Sequence, residues 1–282
     1  MNGPLAQMVA LACHANAAFR DGAAPPFVSQ NSTCRFCDRV SFGRGRRRFS
    51  FLPKGKTVEA PEWWMETLAR AGAIGARVHW APSNRSITSD RMSAGLVGGG
   101  GTWLLEMFTA ARQSLFWIAH WQVWNQQEPD QRIWRVHYPT PADDAVDADA
   151  VTGRLRGALV EMRHFARRHQ QCEPFIASFD RALDSLTSGR RSGYHQDLAP
   201  PGILSDAEAR ILDACQPAYV FGAMGSWNDL SFEPSAEAEY TRISDGAFET
   251  VHASIVSAVN GWAARGRGKG DRRGSDRGQT TR

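Results

Sequence analysis

The chain has 282 residues, 42% of them hydrophobic and 22% charged, with a formal net charge of +4. These proportions exclude a collagen-like, wholly disordered or disulfide-dense chain, and the length is enough to bury a sizeable core. The basicity is local: seven Lys and Arg against Asp271 and Asp276 between Arg265 and Arg282 give a net of +5, which leaves residues 1–264 at about −1.

Taken in chain order, the Ala-rich segment Leu5–Arg20 predicts a short helix. No Lys or Arg precedes its apolar run, so it lacks the positive start of a signal peptide, and no run approaches the roughly 20 apolar residues of a membrane span. With an odd number of cysteines, Cys13, Cys34, Cys37, Cys172 and Cys215, and no regular framework, a reduced state and a cytoplasmic location are expected. Asp21-Gly22 and Pro25-Pro26 mark a loop. Val40-Ser41-Phe42 and Phe49-Ser50-Phe51 alternate on either side of Gly43-Arg44-Gly45 and predict a hairpin.

Pro61 suits the first turn of a helix that Trp64 and Leu68 continue, and Arg77–Trp80 reads as a short strand. Ser83–Gly101, polar and then glycine-rich, is expected as a long connection in which Gly98–Gly101 act as a hinge or lid. No Lys-Ser/Thr pair follows those glycines, which argues against a phosphate loop. The strongest strand signal comes next. Trp117, Ala119, Trp121 and Val123 alternate with Ile118, His120, Gln122 and Trp124, and across Asn125–Asp130 the run Trp134, Val136, Tyr138 alternates with Ile133, Arg135, His137. This predicts an antiparallel ribbon over residues 116–138.

From Pro141 the pattern becomes helical. Val151, Leu155, Leu159, Met162 and Phe165 share one face, and Pro174–Leu186 is a second helix stopped by Ser188-Gly189. Ser205-Asp-Ala-Glu208 is a capping box for a third, and Tyr240 to Trp262 keeps helical spacing for a fourth. Strands early and helices late predict an α+β fold, an antiparallel sheet mainly from the N-terminal half covered by helices from the C-terminal half. Residues 1–264 read as a single composite domain, with a subdivision near 140 as the alternative, and residues 265–282 as a disordered Arg/Gly tail.

Three functional readings follow. The first is a soluble intracellular protein that binds a small molecule or protein partner through the Trp/His-rich sheet face. If the indoles turn inward, Gln122, Trp124 and Arg135 line a ligand pocket beside the Gly225–Asp229 turn, to which Trp227 and Asn228 contribute. The second is an enzyme on a small organic substrate, with His120 or His137 as general base and Asp229 as an acid–base partner. The competing readings are an ordinary solvated sheet face and a tight turn anchored by Trp227. The third is a zinc- or RNA-associated module. Cys34 and Cys37 have the two-residue gap that lets two thiolates reach one metal, and Arg44, Arg46, Arg47 and Arg48 make a basic cluster. Only one such cysteine pair exists and the body is nearly neutral, so nucleic acid is not favoured. No motif names a cofactor.

Overall fold

In the computed structural model, which describes residues 1–24, 26–43, 58–83, 89–96, 99–111, 113–139, 152–191, 193–222 and 224–275 (side chains of 58–59, 152–154 and 266–275 excepted), the chain opens with helix α1 (Gly3–Asp21). The Asn2 side chain accepts the Leu5 N–H at 3.0 Å, and Gly22 ends the helix at φ 75°. Leu5 through Cys13 are all buried, so α1 is a central helix rather than a surface one. Its alanines explain this, because small side chains let neighbours approach from every side.

Strand β1 (Cys37–Gly43) is followed by β2 (Val58–Glu59), helix α2 (Pro61–Arg70), β3 (Ala73–Ala81) and the short α3 (Asp90–Ser93). Then come β4 (Thr102–Thr109), β5 (Ser114–Trp117), β6 (His120–Val123) and β7 (Trp134–Tyr138). They form two sheets, one ordered β3-β4-β5 and the other β2-β1-β7-β6. All pairings are antiparallel except β1 with β7, which is parallel. The predicted ribbon exists, with His120 opposite His137 and Gln122 opposite Arg135. Its first strand, however, is interrupted at Ile118-Ala119: Trp117 ends the first sheet, paired to Leu105, and His120 begins the second. The chain changes sheets there, so alternation is not carried through one continuous strand. Strand β4, the centre of the first sheet, carries a mainly buried run, Leu104 to Phe108, that has no period-two signature.

The edge of β3 is closed by two amides. Asn16 of α1 exchanges two hydrogen bonds with the Ala76 main chain, at 2.7 and 3.1 Å. Helices α4 (Thr152–Arg168), α5 (Glu173–Ser188), α6 (Asp206–Ala218) and α7 (Pro234–Ser275) follow. Asn260 of α7 makes the same pair of bonds to Val78, both at 2.9 Å. Ser205 and Glu208 form the predicted capping box, and Gly189 ends α5 at φ 70°. The α+β architecture is as expected, but the first sheet is covered by α1 as well as by α7. The α7 backbone continues past residue 265 to Ser275.

One buried cluster runs from Leu11 through Trp117 and Tyr138 to Phe165, Trp227 and Val259. The expected second hairpin arm Phe49–Phe51 and the Arg44–Arg48 cluster lie outside the described residues, and α3 stands within the expected connection 83–101. Among the described residues no helix is long and apolar enough to cross a membrane.

Candidate functional site

The imidazole face of the ribbon lies at the surface. His120, Gln122 and Trp124 are exposed, while Arg135 and His137 are half-buried. The Ser41 hydroxyl lies 3.1 Å from His137 Nδ1, a neighbour supplied by the parallel β1–β7 pairing. Burial, then the charge of His120, lowers the His137 pKa. Arg135 gives its Nε–H to Asp38 at 2.6 Å and lies 3.0 Å over the Trp124 ring. Its charge is thus already met by a carboxylate and a π-face.

The opposite face of the ribbon carries the cavity. Trp121, Ile118 and Ala119 meet Leu5 and Met8 of α1 and Trp103 of β4 around a space of about 210 Å³. Each element has a local reason to be there. Leu5 and Met8 stand one turn apart at the capped start of α1. The break between β5 and β6 brings Ile118 and Ala119 to the wall. The glycine run reaches it too, but as a packed turn: Gly100 and Gly101 have φ of 85° and 91°, and Trp80 donates its indole N–H to the Gly100 carbonyl at 2.8 Å. A Cβ on Gly101 would fall 2.4 Å from that indole nitrogen, so a side chain there is excluded. Behind Trp103, the fully buried His252 stacks on Trp80, with ring centroids 4.8 Å apart. Its Nδ1 lies 2.7 Å from the Phe248 carbonyl, and burial pushes its pKa down to about 4.

Cys34 and Cys37 are buried, free thiols that share one amide donor, Gln7 Nε2, at 3.7 and 3.6 Å. Tyr138 donates to the Oε1 of the same Gln7 at 3.4 Å. Burial raises the two thiol pKa values to about 12 and about 11, which keeps both protonated near neutrality. Two sulfurs supply half of a tetrahedral zinc set, and among the described residues no group of three or more His, Cys, Asp or Glu is placed to hold a metal.

The Gly225–Asp229 turn serves the helical core. Trp227 is fully buried against Phe165, Phe175 and Phe179, with its indole N–H on Ser244 at 2.7 Å. Asn228 is held by Arg91, which in turn pairs with Asp245 at 2.6 Å. The Asp229 carboxylate accepts the Ser226 N–H at 3.0 Å as a cap. None of these bonds joins the turn to His120 or His137.

A polar constellation that the sequence reading missed joins the turn after α1 to the loop before α6. The Ser32 hydroxyl lies 2.7 Å from His195 Nδ1 and 2.5 Å from Asp197 Oδ1, and the Ser32 N–H donates to Asp197 Oδ2 at 2.6 Å. Asn31 holds the Asp197 carbonyl at 2.9 Å, with His14 Nε2 at 3.1 Å, and Gln216 clamps the main chain of His195 through its N–H and C=O at 2.7 and 3.0 Å. His14, His195 and Asp197 line a cavity of about 620 Å³ together with Arg191, Leu198 and Leu212. Burial lowers the His195 pKa, with Asp197 opposing. The only signal in the sequence was a His and an Asp two apart in a Pro-rich loop.

No family model, curated protein or solved structure matches the chain.

Proposed function

We propose that the protein binds a small, largely apolar molecule, one or two rings in size, in the cavity on the indole side of the ribbon. The observation that carries this is the wall itself. Two tryptophans, Leu5, Met8 and Ile118 surround about 210 Å³, more than the roughly 150 Å³ of an apolar cavity that accepts benzene. Burying about 200 Å² of ligand at about 25 cal/mol per Å² supplies about 5 kcal/mol, a dissociation constant on the order of 0.1 mM. Among the described residues the buried Trp121 indole N–H has no hydrogen-bond partner. Five buried free thiols suit a reducing, cytoplasmic compartment. An enzyme using His120 or His137 has less support, since His120 stands exposed on the other side of the sheet.

Titration with 2-naphthol tests the proposal, read by tryptophan emission and by thermal shift. The expected result is saturable quenching and a rise in Tm, both lost in Ala119→Phe, which fills the cavity. Wild-type protein that shows no saturation, or a filled variant that binds as well, refutes it.

A further inference from the structure

We propose that Ser32 is the nucleophile of an acyl-transfer site, with His195 as its general base, acting on small carboxylic esters that enter the polar cavity between α1 and α6. This stands apart from the apolar cavity and does not depend on it.

The Ser32 hydroxyl stands between a carboxylate and an imidazole, donating its proton to Asp197 Oδ1 at 2.5 Å with His195 Nδ1 at 2.7 Å. Burial lowers the His195 pKa and so favours the neutral imidazole, which in the tautomer with its proton on Nε2 can take a proton at Nδ1. Once His195 is protonated, its positive charge sits beside the Asp197 carboxylate, which offsets the cost of forming it in a half-dry site. Asp197 is therefore a positioning residue and a counter-charge.

The arrangement is also fixed in advance of any substrate. Asp197 is anchored through its carbonyl by Asn31 and through its carboxylate by the Ser32 N–H, while Gln216 grips both main-chain groups of His195. Such locking holds reacting groups within the tolerance that acyl transfer demands. Both partners of Ser32 form part of the wall of a cavity of about 620 Å³, in which Leu198 and Leu212 offer an apolar surface and Arg191 a cation.

In the step itself, Oγ bonds to the ester carbonyl carbon as its proton passes to His195 Nδ1. Collapse of the tetrahedral adduct breaks the carbon–oxygen bond to the leaving alcohol, which takes the proton from His195. Water then attacks the acyl-serine, again through His195, and releases a carboxylic acid and free Ser32.

The full-length protein is treated with an alkyl fluorophosphonate and mapped by mass spectrometry, and hydrolysis of 4-nitrophenyl acetate is followed in parallel. One equivalent of phosphonate on Ser32 is expected, together with turnover that Ser32→Ala abolishes. His195→Asn should slow both labelling and turnover by about 100-fold or more while the Tm stays within a few degrees. Should Ser32→Ala fail to fold, S32C keeps the site filled. Iodoacetamide should then alkylate position 32 ahead of the buried thiols, and His195→Asn should slow that reaction. Phosphonate absent from Ser32, turnover retained in Ser32→Ala, or alkylation at position 32 indifferent to His195 would each overturn the assignment.

Discussion

The two cavities are built on opposite plans. The apolar one is a gap among side chains, where Leu5, Met8, Trp103 and Trp121 touch the space. The polar one is framed by a loop whose main chain is gripped by side-chain amides, Asn31 on Asp197 and Gln216 on His195. Dispersion and apolar burial hold the first, so it should tolerate changes of shape at a graded cost. Directional bonds in a partly buried setting hold the second, so it should fail abruptly when one partner is removed.

The sharpest way to break this contrast is Gln216→Leu. It strands the N–H and C=O of His195, both buried, and should cost about 3–4 kcal/mol in a urea titration. The volume is nearly kept, so a loss under about 1 kcal/mol would show that the clamp is dispensable. Acid comes next. His252 titrates at about 4 in the folded state against an ordinary value near 6.5, so the unfolded chain binds more protons between those limits. Its contribution is complete above about pH 6.5 and declines as pH falls toward about 4, by about 3 kcal/mol in all. A His252→Phe variant should flatten that part of the stability profile measured by thermal melts. Met8→Ala, on the apolar wall, should cost roughly 2–3 kcal/mol and admit a larger probe than 2-naphthol, an enlargement visible as a reversal of the size preference. The smallest effect belongs to the partly exposed Arg135–Asp38 pair. Arg135→Ala should change stability by no more than about 1 kcal/mol, even though it also uncovers the Trp124 ring, as calorimetry would register.

The same division separates what was legible in the sequence from what was not. Periodicity and caps are local, so Pro61, the Ser205–Glu208 box and Gly189 announced helix ends that the structure shows. An antiparallel ribbon followed from two alternating runs across a polar turn, and the structure supplies its register, His120 opposite His137. Strand β4 escaped because a strand buried on both faces loses its alternation, and the change of sheet at Ile118-Ala119 has no local sign at all. Ser32 and His195 are 163 positions apart, each in a short polar stretch with no catalytic signature of its own. Only the fold brings them together. Cys34 and Cys37 formed the most visible motif, but it says nothing of Gln7, whose amide nitrogen both sulfurs share.

The amides of Asn16 and Asn260 on strand β3 have a consequence for life in a crowded solution. A bare sheet margin is a template on which foreign strands add and fibrils grow. Here the helices themselves fill the rungs at Ala76 and Val78, so an incoming strand would first have to peel α1 and α7 away. Replacing either asparagine would trade a sealed margin for an aggregation-prone one, a failure that precipitation on mild heating would reveal before any loss of helix content.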